Sequence, residues 1–169
     1  YYGADFVNAY ESEQTNSVEL KEKLRQITSS NHKPVGYDRA KAIIFGKLLL
    51  ETLSHGEYAV KDVYCLKTYT NSDFGGEITL GPGMTPQSGN VLNTEHTWPQ
   101  SKFTNKFPKE TQKSDLHHLF PTDSSMNSHR SNLRFGNVNK EVQKLKCSTA
   151  KLGSSSIDSS TVFEAPEVH

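Results

Sequence analysis

No stretch of this 169-residue chain approaches the ~20 consecutive apolar residues that a membrane-spanning helix requires, and no partner membrane is expected. A basic-then-apolar leader is also missing, and the chain opens on Tyr1 rather than Met, which suits a processed exported protein and equally a trimmed piece. Net charge is absent too: 19 basic and 19 acidic side chains cancel, so global charge selects neither a nucleic acid nor an acidic surface as partner. Only two cysteines occur, Cys65 and Cys147. Their spacing fits neither a zinc knuckle nor a redox Cys-x-x-Cys; one disulfide and two buried thiols are both open readings. No Gly-x-Gly-x-x-Gly, no Gly-Lys-Ser/Thr and no internal repeat is present, which excludes the common glycine-rich phosphate loops.

What is present is uneven. From Ser101 to Lys151 ten Lys and Arg stand against four Asp and Glu, a balance of +6, so the remainder carries −6. The amino-terminal half reads as scaffold. Leu20, Leu24 and Ile27 recur at helical spacing, with Asn16 and Glu19 as a capping box and Ser29-Ser30-Asn31 as a stop. Ala42, Phe45, Leu48 and Leu49 form the apolar stripe of a second helix over Tyr37 to Leu53, with Asp38 as its cap. Val, Tyr and Thr between Tyr58 and Tyr69 favour one or two strands. His32 and His55 read as surface histidines. The Gly/Ser/Pro-rich connector Asn71–Asn90, with Gly81-Pro82-Gly83 as turn punctuation, is long enough to be functional or mobile. Beyond Lys151 the run KLGSSSIDSS reads as a loop.

The chemistry concentrates in Glu95-His96 and in the run DLHHLFPTDSSMNSHRSNLRFG, Asp115 to Gly136. Val91–Trp98 and Leu116–Phe120 read as strands, each stopped by a proline, and a helix capped by Thr122 or Asp123 runs to about Asn132. At 100° per residue Asp123, Asn127, Arg130 and Arg134 share one helical arc, while Met126 and Leu133 face elsewhere, with His129 on that structural side. Phosphodiester hydrolysis needs a base, a cation for the departing oxygen and donors for the non-bridging oxygens. His96 is the natural base, Glu95 and Asn127 are oxygen ligands suited to a hard ion, and Arg130 and Arg134 match phosphate. His117 and His118 should point to opposite faces of a strand, so at most one enters the site. The neighbours Glu95 and His96 face the same difficulty: either the strand is bulged, or the two approach a phosphate from opposite sides. A zinc hydrolase built on His96, His117, His118 and Asp115, and a catalytically silent nucleic-acid-binding module, are the rival readings.

The runs NTEHTWPQS and DLHHLFPTDSSMNSHRSNLRFG resemble the endonuclease I family of secreted bacterial nucleases, in the ββα-metal or His-Me finger group. The resemblance implies an α+β fold in which a ββα finger (91–134) packs on a mainly helical scaffold (1–90), followed by a segment 135–169, all as one nuclease domain. It implies sugar-nonspecific cleavage of DNA and RNA to 5′-phosphate and 3′-hydroxyl ends with one divalent cation, Mg2+ first and Mn2+ or Ca2+ as alternatives. Glu95 and Asn127 correspond to metal ligands, His96 to the base and Arg130 to a nucleic-acid contact; Arg134, Lys102 and Lys106 join it, and Asp115, His117 and His118 stand behind. Where some relatives carry an arginine between the finger strands, this chain has Lys102, Lys106, Lys109 and Lys113. The closing VFEAPEVH resembles a segment that continues in the family, so the chain is either a short member or a fragment, and a companion fragment of the same precursor or reduced stability is expected, the protein otherwise being a monomer, secreted or periplasmic.

Overall fold

The computed structural model describes residues 17–30, 33–76, 78–85 and 90–167. The chain divides into two units, Tyr1–Pro34 and Val35–His169. In the first, helix α1 (Ser17–Ser29) half-buries Leu20, Leu24 and Ile27, the stripe expected from their spacing. Asn16 of the expected cap, Asn31 of the expected stop and His32 lie outside the described residues. So do the last two residues of VFEAPEVH.

In the second unit, α2 (Tyr37–Ile43) starts at Gly36, whose φ of 79° suits glycine. Asp38 does not cap it; its carboxylate pairs with Lys41 at 2.8 Å. Nor does the helix reach Leu53. It widens into one π turn, Ile44–Leu48, where Leu49 N–H bonds Ile44 O at 2.9 Å. The carbonyl of Gly46 accepts from Gly83 N–H at 3.0 Å, where the connector crosses the end of this turn. A Cβ on Gly46 would lie 2.5 Å from Gly83 N, and glycine is what lets the connector come that close. Gly81-Pro82-Gly83 is indeed a turn, closed by Met84 N–H on Gly81 O.

The chain then forms an antiparallel meander, β1 (Leu50–Thr52), β2 (Tyr58–Lys61) and β3 (Thr68–Thr70). His55 is exposed and pairs with Glu57, a surface histidine as expected. Phe45, Val60, Tyr69, Leu80, Leu92 and Leu119 meet in one core, so the described part of the connector contributes to packing through Leu80 and Phe74. The architecture is mixed α+β, but the scaffold is not mainly helical: a three-stranded sheet occupies part of the segment expected to be helical, and another three-stranded sheet closes the chain.

Between them lies a two-stranded sheet, β4 (Leu92–His96) and β5 (Leu119–Asp123), running straight into helix α3 (Ser124–Arg130). Sequence order alone placed β5 at Leu116–Phe120. Instead the Asp115 carboxylate accepts from His117 N–H and folds Leu116–His118 into a 3-10 turn. Pro121, expected to end the strand, sits inside it opposite Thr94. Each strand of a two-stranded sheet has an outer edge, so a proline costs no ladder bond there, and the Pro121 carbonyl accepts from Val63 N–H at 3.1 Å. β4 ends two residues early because Arg130 takes the carbonyls of His96 and Thr97. Helix α3 stops at Arg130 rather than Asn132, where Ser131 turns to φ 51°.

The last sheet, in the order β6 (Val138–Gln143), β7 (Lys151–Ser155), β8 (Thr161–Glu164), corrects the first half of the loop expected over KLGSSSIDSS, while residues 156–160 do form the turn into β8. Gly153 lies so near β6 that an added Cβ would meet Lys140 O at 2.2 Å. Small residues there reflect a crowded central strand, not a loop. Cys65 and Cys147 form a disulfide, with Cα atoms 5.4 Å apart, beside a second core of Tyr64, Met126, Leu145, Ala150, Leu152 and Phe163.

Candidate active site

The pairing of β4 with β5 is continuous from Leu92↔Asp123 to His96↔Leu119, without a bulge. Glu95 and His96 therefore leave the strand on opposite sides, yet both line one cleft of about 470 Å³ together with Asn127. His96 is the last residue of the strand, where the chain turns away.

Glu95 is 1% exposed. Tyr64 Oη–H donates to its Oε1 at 2.7 Å, and Arg130 Nη1 stands 3.0 Å from the same oxygen. Both land on Oε1, which leaves Oε2 to the cleft. Burial pushes the carboxyl above its ordinary value, and the Tyr64 hydrogen bond with the Arg130 charge pulls it back. Burial beside the Glu95 carboxylate also raises Tyr64, so it stays a phenol and a donor. From α3, Asn127 Nδ2 donates to Thr94 O at 3.5 Å, which turns its Oδ1 the other way.

His96 donates Nε2–H to Lys113 O at 3.1 Å. A carbonyl can only accept, so the ring proton resides on Nε2 and the lone pair on Nδ1. Burial, helped by the charges of His118, Lys113 and Arg130, brings the imidazole down to about 4 against the pull of that carbonyl. It is neutral at pH 7. Tyr37, His118 and Phe103 surround the ring at centroid distances of 5.5, 5.5 and 6.2 Å.

The other expected residues separate. Arg130 is 2% exposed, its guanidinium engaged by Glu95, the backbone carbonyls of His96, Thr97 and Ser131, and the Phe135 ring. Buried as it is, it also lines the cleft. Arg134, beyond the end of α3, pairs with Asp158 and Ser160. Asp123 leaves the expected arc altogether: buried, it caps α3 and binds Tyr69 and Lys146. Lys102 and Lys106 are exposed. His118 packs on His96 and donates Nε2–H to Gln112 O, whereas His117 points outward and pairs with Asp115. Only His118 meets His96, from a turn and not a pleat, and neither of the two lines the cleft. His129 bonds Ser125 O and Gln143, away from the cleft.

Tyr64, Tyr37 and the Lys113 carbonyl went unread in the sequence. Tyr64 lies 31 residues before its partner Glu95, and a backbone oxygen leaves no signature in side-chain chemistry. Among the described residues no three His, Cys, Asp or Glu side chains gather as a metal-holding group. A zinc centre of His96, His117, His118 and Asp115 thus has no donor set, while one carboxylate oxygen and one amide oxygen suit a hard ion that keeps its waters.

A family model described as Endonuclease I matches residues 5–168. The chain belongs to the endonuclease I family. Comparison with curated proteins and with solved structures returned no match. As an endonuclease I member it is a nuclease, a hydrolase whose substrate is nucleic acid, and no helix among the described residues is long and apolar enough to cross a membrane.

Proposed function

We propose that this endonuclease I member cleaves DNA and RNA without sugar specificity, with one divalent cation, Mg2+ before Mn2+ or Ca2+, and leaves 5′-phosphate and 3′-hydroxyl ends. The observation that carries the reading is the neutral His96, held through Nε2 by the Lys113 carbonyl, in one cleft with Glu95 and Asn127. The β4–β5–α3 unit is read as a ββα-metal finger on this basis. Its donor set fits the cation: Glu95 Oε2 and Asn127 Oδ1 are the oxygens their other contacts leave over. A bound divalent ion would neutralise charge on the departing 3′ oxygen.

The protein groups do the rest. His96 Nδ1 takes the proton of the attacking water, and its Nε2–H contact holds the ring in place while it does so. Tyr64 and Arg130 hold the Glu95 carboxyl in place and oppose the upward push of its burial. Lys102 and Lys106, with Arg134 after exchange of Asp158 for phosphate, draw the backbone; contacts of that kind carry no base information, so little sequence preference follows. The disulfide supports an exported protein, secreted or periplasmic.

A supercoiled-plasmid nicking assay tests the reading. Cutting is expected with Mg2+, loss with chelator, no recovery with Zn2+ alone, and a fall of about 10²–10⁴-fold in His96→Ala, the range for a general base. If His96→Ala cuts as fast as the parent, the role of His96 is wrong; if the parent cuts with no cation supplied, the metal is.

A further inference from the structure

Beside the cleft lies a second cavity, of about 230 Å³, with apolar walls from Trp98, Leu133 and Phe135 and with Lys102 and Arg134 at its sides. It shares Pro99, Arg130 and Asn132 with the cleft, so the two are neighbours. Trp98 is the chain's one tryptophan and is 56% exposed; Phe135 is 40% exposed. Large aromatics left open together are costly unless something covers them. Phe135 is also held from beneath: the Arg130 guanidinium lies 4.6 Å from its ring centre, and Phe163 packs edge-on at 6.4 Å.

We propose that this cavity is a base-stacking subsite, in which Trp98 and Phe135 receive the nucleobase adjacent to the phosphate in the cleft. The inference rests on the nuclease reading and names the substrate form that the same site prefers. A nucleotide has the required dual character: a flat apolar base for the indole and ring, and flanking phosphates for the cleft and for Lys102, whose ammonium no acidic partner holds in the described contacts. An apolar peptide would leave the Lys102 ammonium facing apolar groups. Every base has a π face, so such a subsite adds affinity without sequence preference. A base inside a duplex must first be unstacked and unpaired, so single strands and unpaired ends are favoured over duplex.

Because Trp98 is the sole tryptophan, its emission reports occupancy directly. The parent protein, in chelator to prevent cutting, is titrated with a short oligothymidylate and with an abasic oligomer of equal length. Oligothymidylate is expected to quench the emission, and the abasic strand to bind about tenfold more weakly, in keeping with the loss of one base–aromatic stack. Trp98→Ala is expected to raise KM on single-stranded DNA about tenfold, and Trp98→Phe by less, while narrowing the preference over duplex. Equal binding of the abasic strand, or no quenching by a protein that nicks plasmid with Mg2+, overturns the subsite and leaves the nuclease reading standing. A change in emission with protein concentration alone identifies a second copy as the occupant and also overturns it. Failure of nicking with every cation overturns the reading beneath.

Discussion

Arg130 carries its charge into a nearly water-free place because Glu95 is there to meet it, and Tyr64 supplies the remaining donor. Removing one member of a buried pair leaves an uncompensated charge, so Arg130→Ala is expected to lose about 3–5 kcal/mol of stability in urea unfolding. Tyr64→Phe removes only a hydrogen bond to a charged group, about 1.5–3 kcal/mol, and should raise the Mg2+ concentration for half-maximal nicking more than it lowers stability. A purely structural Tyr64 would leave that concentration unchanged. His96 makes a pH-dependent contribution of definite sign. Its folded-state value is near 4 against 6.5 for a free imidazole, so between these limits the unfolded chain binds the extra proton. Stability is therefore full above about 6.5 and declines as pH falls toward 4. In chelator, thermal midpoints of the parent should fall across that window and those of His96→Gln should fall less; parallel profiles would contradict the burial argument.

Helix α3 is only seven residues long, too short to hold itself, and its position depends on Asp123. That carboxylate accepts from Ser125 and Met126 N–H, and from Tyr69 and Lys146. Burial pushes it up, but those partners hold it below the ordinary aspartate range. Asp123→Ala should cost about 1–2 kcal/mol for the cap alone, and Asp123→Asn, which keeps an acceptor, should cost less. Since α3 presents Asn127, the alanine variant should also weaken cation use in the nicking assay, and equal Mg2+ dependence would disprove the link. The strand-strand-helix order was legible because Glu95-His96, the Asx caps and the apolar alternation are local signals. The boundaries were not. Pro121 reads as a stop unless one knows that β5 has an open edge, and KLGSSSIDSS reads as a loop unless one knows that Gly153 lies under β6.

Across the second unit, the Cys65–Cys147 bond joins segments 82 residues apart, and Thr149 Oγ–H donates to Tyr64 O beside it. Closing so long a loop restricts the unfolded chain, so reduction should cost about 4 kcal/mol, read as a lower urea midpoint in thiol than without it. An unchanged midpoint would mean that the bond carries no stability. The sequence by itself determined the chemistry on offer: a base, a carboxylate and an amide within two short runs, an excess of basic side chains around them and no apolar span, because residue type and local spacing carry that information. Only the tertiary structure decided how the groups are used. It buried Arg130 against Glu95, tied Arg134 to Asp158, moved Asp123 beneath the helix and brought Tyr64 and the Lys113 carbonyl to the site. These are contacts between segments far apart in the chain, and which donor reaches which acceptor depends on packing that no local pattern records.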